Sequence, residues 1–129
     1  MLTPLRVLLL STLVFAAPAM AQTAPQEIDV ALSNFAFAPN ALTFKAGTTY
    51  RLHLTNEGNS DHNFTARDFF AASTVAQGDA DKVQDGEVEV PKGSSVDVTV
   101  TPNRAGAYDL ECTHFLHATF GMTGRITVQ

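Results

Sequence analysis

The run Glu87-Val88-Glu89-Val90-Pro91-Lys92-Gly93-Ser94-Ser95-Val96-Asp97-Val98-Thr99-Val100-Thr101 decides the fold class. Valine occupies every second position on both sides of Pro91-Lys92-Gly93. A strand sends successive side chains to opposite faces, so this alternation makes one apolar and one polar face. A helix would instead repeat its apolar stripe every three to four residues. With its central turn, the run is predicted to form a β-hairpin. Upstream, Tyr50, Leu52 and Leu54 alternate with Thr49, Arg51, His53 and Thr55, as do Ile28, Val30 and Leu32 with polar neighbours. Phe35 and Phe37 extend that first strand to Pro39-Asn40, and a short strand follows from Leu42 to Lys45. Downstream, Asn103 to Gly106 forms a turn, Tyr108 and Leu110 lead to Cys112, and Arg125 to Val128 makes a last strand. Turn residues recur about every eight to twelve positions, which predicts an all-β sandwich or barrel of roughly seven strands. Only Asp68 to Gly86 breaks the rhythm, and Phe69, Phe70, Val75 and the alanines there suit a short helix or packed excursion.

The chain has 129 residues, 45% hydrophobic and 16% charged, which allows one small domain plus a targeting segment and excludes a multidomain enzyme. Its 8 Lys+Arg against 13 Asp+Glu disfavour nucleic acid and anionic membrane surfaces as partners. Arg6, the apolar run Val7 to Ala17 and the small-x-small triplet Ala19-Met20-Ala21 have the order of a secretory signal peptide, predicted to span residues 1–21. The apolar run falls below the roughly 18–20 residues needed to span a bilayer, so no stable membrane anchor is expected after cleavage. Residues 22–129 then form the exported, periplasmic domain. Loss of Arg6 leaves 7 basic against 13 acidic residues, a net charge of −6, and a single cysteine and methionine, Cys112 and Met122.

One cysteine makes no internal disulfide and supports no zinc site that needs two thiolates. Cys112, His117 and Met122 are spaced C-x4-H-x4-M, and His62 lies some fifty residues upstream after a strand. A thiolate and two imidazoles in a plane with a long axial thioether make the donor set of blue-copper sites; zinc accepts Cys and His but gains little from a thioether. A short loop between strands turns three of these side chains toward one point, and a neighbouring strand end supplies the fourth.

These residues resemble the cupredoxins, small copper proteins of the plastocyanin, azurin and pseudoazurin type. The resemblance runs from about Ile28 to Val128. It rests on Asn34-Phe35-x-Phe37-x-Pro39, Ala46-Gly47, Asn56, Asp61-His62-Asn63-Phe64, and Glu111-Cys112-Thr113 through His117 to Gly121-Met122-x-Gly124. It implies a cupredoxin-like Greek-key β-sandwich with a short helical excursion. It also implies one copper ion cycling between Cu(I) and Cu(II), with His62, Cys112 and His117 as equatorial ligands and Met122 as the weak axial one. Asn63 matches the residue that ties the two ligand loops together and gives its backbone N–H to the cysteine sulfur. The commoner family loop has Pro-Gly before the second histidine, where this chain has Phe115-Leu116. Unlike proline, Phe115 has a backbone N–H to donate to the ligand sulfur, a bond that acts on redox potential.

His114 shares the strand parity of Cys112, which brings its ring toward the site for packing or a hydrogen bond rather than ligation. His53 reads as a solvent-side strand residue, and Asp79, Asp81 and Asp85 as a solvated loop lacking the glycine and terminal glutamate of an EF-hand. Phe115, Leu116 and Phe120 either roof the metal or form a docking patch. The expected protein is a monomeric electron shuttle that meets a redox partner protein and catalyses no transformation of its own. The alternative is a periplasmic copper carrier or resistance protein that meets a copper donor or acceptor. A Cys112–His117 nucleophile pair leaves His62 and Met122 unexplained, and a metal-free binding module predicts no copper uptake.

Overall fold

The computed structural model describes residues 11–21 and 23–129. Arg6, the start of the apolar run at Val7, and Gln22, where the exported domain is expected to begin, lie outside the described residues. Residues 11–21 carry no regular structure and leave Leu13, Val14 and Phe15 exposed. No described helix is long and apolar enough to cross a membrane.

Ten strands follow in order: β1 (Gln26–Ser33), β2 (Ala36–Ala38), β3 (Ala41–Phe44), β4 (Tyr50–Asn56), β5 (His62–Thr65), β6 (Ser73–Val75), β7 (Glu87–Val90), β8 (Ser95–Pro102), β9 (Gly106–Glu111) and β10 (Thr123–Val128). A short helix, α1 (Arg67–Ala71), and a 3-10 turn (Gln77–Lys82) stand within the predicted excursion. One sheet has the order β2-β1-β4-β8-β6 and the other β3-β10-β9-β5-β7. From β2 to β9 every connection crosses from one sheet to the other. The pairs β1–β4 and β3–β10 are parallel, and the remaining pairs are antiparallel. The inward faces interdigitate as one core, in which Leu32, Leu52, Leu54, Phe44, Phe64, Leu110 and Ile126 are fully buried.

The all-β sandwich is as predicted, but its strand inventory is larger. The added strands β2, β5 and β6 are three or four residues long, too short for a period of two to stand out. In β5 all four residues are buried, so no alternation exists to be read.

Two predicted connections are corrected. Glu87–Val100 is not a hairpin, because β7 pairs with β5 while β8 pairs with β4 and β6 in the opposite sheet. Val88, Val90, Val98 and Val100 are all fully buried. The two strands contribute these valines to the one core from opposite sheets. The Asn56 carboxamide fastens this corner, donating to Val90 O at 2.8 Å and Ser60 O at 2.9 Å.

The second correction is that β1 ends at Ser33 and does not run on through Phe35. The chain turns at Asn34-Phe35 and β2 pairs back on β1, Ser33 opposite Ala36. The turn keeps Phe37 in the core and sends Phe35 outward, 37% exposed.

In the excursion, α1 packs Phe69 and Phe70 onto the core against Phe44, Phe64 and Tyr108. Asp79 accepts the Thr99 N–H at 2.8 Å and the Lys82 ammonium at 2.7 Å, so this carboxylate pins the 3-10 turn to β8. At one end of the sandwich the β1–β2 turn, the β4–β5 loop and the β9–β10 loop converge. The candidate site lies there.

Candidate metal centre

The four expected ligands lie on three pieces of backbone. His62 opens β5, Cys112 follows the last residue of β9, and His117 and Met122 lie on the β9–β10 loop. Met122 holds this loop through its backbone: its N–H donates to His117 O at 3.0 Å, and its carbonyl accepts the Cys112 N–H at 3.1 Å. The Met122 side chain is fully buried. Leu116 stands in the left-handed region, with φ 63°. This is where the commoner family loop has glycine, so the turn persists although leucine pays roughly 1–2 kcal/mol to adopt it.

His62 Nδ1 lies 3.1 Å from His117 Nδ1, and Cys112 Sγ lies 3.9 Å and 3.4 Å from those two atoms. Among the described residues these three form the one group of His, Cys, Asp and Glu side chains close enough to hold a metal. A triangle with these edges has an interior point about 2.0 Å from every corner, within the roughly 2.0–2.3 Å that zinc, an ion of similar size, makes to imidazole nitrogen and thiolate sulfur. The donors are thus set for a trigonal plane. One thiol and two imidazoles brought together, with the buried thioether of Met122 on the same loop, fit one copper ion in a type 1 site.

Asn63 joins the two ligand-bearing segments. Its backbone N–H donates to Cys112 Sγ at 3.4 Å. Its carboxamide donates to Thr113 Oγ1 at 2.8 Å and accepts the Thr113 N–H at 2.8 Å. The Thr65 hydroxyl donates to the same carboxamide oxygen at 3.0 Å. Among the described hydrogen bonds, Phe115 gives none to the sulfur.

His114 stays outside the donor triangle. Strand β9 ends at Glu111, so parity does not carry through to residue 114. The His114 ring turns toward Glu89, with Nε2 2.7 Å from Oε1, and its face lies over His117 with ring centroids 5.6 Å apart. His53 is half-exposed and pairs with Asp97 at 2.5 Å, away from the site.

Burial lowers the His62 pKa, and the neighbouring His117 and His114 push it the same way. His117 is lowered by burial and by His114. Burial raises the Cys112 thiol, with Glu89 and Glu87 adding to the rise and the Asn63 and His114 backbone N–H groups offsetting part of it. Both directions favour neutral imidazoles and a protonated thiol, and a thiol that ligates a metal gives up its proton.

Two residues at the site escaped sequence reasoning. Asn34 Oδ1 lies 3.1 Å from His62 Nε2, and the Phe35 ring packs edge-on against His117 at 4.9 Å. Both belong to the Asn-Phe-x-Phe-x-Pro motif, whose spacing marked them without showing that a turn folds them over the histidines. Phe35, Phe115, Leu116 and Phe120 are 37%, 86%, 43% and 62% exposed; Phe35 touches both His117 and Phe120, and Phe115 and Leu116 directly precede His117 on the loop.

The model of the family described as "Cupredoxin-like domain" matches residues 5–128. The chain is 43% identical over 54 residues, 42% of its length, to the copper-resistant cuproprotein CopI of Pseudomonas aeruginosa, and this match spans 30% of that relative. Among solved structures it is similar to auracyanin B, with TM-score 0.62, 29% identity, and coverage of 85% of this chain and 93% of the other. A multicopper oxidase from Campylobacter jejuni shares the fold, with TM-score 0.60 and 15% identity over 83% of this chain and 31% of the oxidase.

Proposed function

The chain belongs to the cupredoxin-like domain family, and on that premise we propose that it is an exported, periplasmic carrier of one electron. In this reading residues 1–21 are its signal peptide, and His62, Cys112, His117 and Met122 are its copper ligands. The observation that carries the reading is the donor triangle, whose three atoms stand within 3.9 Å of one another. Copper bound there supplies the one-electron couple between Cu(II) and Cu(I). The chain's own part is to hold the donors still. Asn63 fastens β5 to the Cys112 loop, the Met122 backbone closes the loop onto itself, and burial excludes water from the sulfur. A frame that changes little between the two oxidation states keeps reorganisation small. The half-buried His117 and the exposed Phe35, Phe115, Leu116 and Phe120 of the same two loops offer a redox partner protein a small apolar contact of the kind that releases quickly. The four donors leave no obvious place for a substrate, which favours a carrier over an enzyme.

The second reading is a copper carrier or resistance protein that hands the ion to an acceptor, favoured by the likeness to CopI. One set of measurements separates the two. Absorption and electron paramagnetic resonance spectra of the copper-loaded protein test thiolate coordination, and voltammetry then tests function. Reversible one-electron reduction with fast self-exchange supports the shuttle. Rapid loss of the ion to a chelating acceptor, with slow self-exchange, supports the carrier. Absence of any thiolate-to-copper band refutes both.

A further inference from the structure

His62 must present a bare Nδ1 to a metal, and an imidazole with one proton can carry it on either nitrogen. The surroundings of Nε2 decide which. Asn34 Oδ1 stands 3.1 Å from it, and an amide oxygen only accepts, so Nε2 is the nitrogen that carries the hydrogen. The orientation of the Asn34 amide is itself fixed from outside. The Asn59 backbone N–H, a group that only donates, points at Asn34 Oδ1 at 3.3 Å, and Asn34 Nδ2 donates to Asn59 Oδ1 at 2.5 Å. Reversing the amide would set its nitrogen against the Asn59 N–H, donor against donor, and its oxygen against Asn59 Oδ1, acceptor against acceptor.

Gly58 is a separate observation on the same bond. A Cβ at residue 58 would lie 2.6 Å from Asn34 Oδ1 and 2.7 Å from His62 Nε2. Its backbone lies outside the left-handed region, so the contact with this hydrogen bond is what favours glycine there.

We infer that Asn34 is a positioning residue for the metal centre: held by Asn59 and covered by Gly58, it keeps the proton on His62 Nε2 and so leaves Nδ1 bare toward Cys112 and His117. His62 is fully buried, so without Asn34 its Nε2–H loses its partner. Nδ1 then becomes the better place for the proton, because His117 Nδ1 at 3.1 Å and the Cys112 sulfur at 3.9 Å remain beside it. The lock thus presets the ligand before any metal arrives, and it joins the β1–β2 turn to the β4–β5 loop. Its consequence for copper rests on the reading of the site given above; its effect on the proton does not.

The test compares wild type with Asn34→Leu, Asn34→Asp and Gly58→Ala. Two-bond proton–nitrogen correlation spectra of the copper-free proteins identify the His62 tautomer, and competition with a Cu(I) chelator gives affinity. Wild type is expected to show Nε2–H alone. Asn34→Leu, at an exposed turn position, and Gly58→Ala should populate Nδ1–H and bind Cu(I) about 10–100-fold more weakly, as is usual when a ligand's outer hydrogen-bond partner is removed. Asn34→Asp keeps an acceptor of the same shape and should restore the wild-type tautomer. A leucine variant that retains the wild-type tautomer overturns the inference, as does an aspartate variant that behaves like leucine. A wild-type protein that takes up no copper refutes the reading of the site, and the tautomer spectra then decide the role of Asn34 by themselves.

Discussion

Replacing Asn63 by alanine removes the side-chain bridge between β5 and the Cys112 loop while keeping the backbone N–H that faces the sulfur. Three hydrogen bonds disappear: two with Thr113 at 2.8 Å and one from Thr65 at 3.0 Å. Thr113 is exposed and can recover water, and Thr65 keeps a second acceptor in Glu87 at 3.1 Å. Each loss therefore costs the net worth of a bond, about 1 kcal/mol, rather than the full penalty of an orphaned buried group. With the Thr65 bond partly replaced, the copper-free protein should lose about 2–3 kcal/mol. For a domain of this size that lowers Tm by roughly 10–20 °C. Urea unfolding of the copper-free protein, followed by circular dichroism, measures the change with the m-value as a check that the unfolded state is unaltered. In the copper-loaded variant the thiolate band should remain, because the Asn63 N–H donor to Cys112 Sγ belongs to the backbone. A stability loss below about 0.5 kcal/mol at unchanged m-value would mean that water holds Thr113 as well as the Asn63 carboxamide does, and that the bridge contributes nothing net.

Cys112→Ser should abolish the intense visible band, and retention of that band would contradict thiolate coordination. His117→Ala should weaken copper binding far more than His114→Phe, because His114 points at Glu89 rather than into the donor triangle; equal losses in parallel copper titrations would make His114 a ligand. Met122→Leu should keep copper and colour but shift the reduction potential, since removing a long thioether leaves the trigonal plane standing. An unchanged potential in voltammetry would reduce Met122 to a core residue. The Asp97 hydrogen bond raises the His53 pKa against the opposing effect of burial, with Asp29 and Glu27 adding to the rise. A raised pKa gives stability that is full below the unfolded value near 6.5 and is lost as pH climbs through the folded value. The stability difference between wild type and His53→Gln should therefore be larger at about pH 5.5 than at about pH 9, and small throughout because both partners are exposed. A difference that grows toward alkaline pH would reverse the assignment.

Sheet character and the candidate donors were legible in the sequence alone. Alternation in Tyr50–Asn56 and Ser95–Pro102 is local information, because a half-buried strand must alternate whatever it pairs with, and both segments form strands. The unusual side chains of the C-x4-H-x4-M loop were equally legible, since few chemistries need a lone thiol, an imidazole and a thioether in one short turn. Which strands pair is another matter. Val88 and Val98 show the same pattern whether their strands share a sheet or lie in opposite ones, and it is the pairing of β7 with β5 and of β8 with β4 and β6 that separates them. The same holds around the metal centre. Asn34 is 28 residues from His62, and Glu89 is 25 from His114. Hydrogen bonds between such distant residues leave no periodic trace, because they arise only when separate loops are brought to one end of the sandwich. Composition named the candidate donors, while the folding of distant segments to one end of the sandwich brought His62, Cys112 and His117 together and turned His114 toward Glu89.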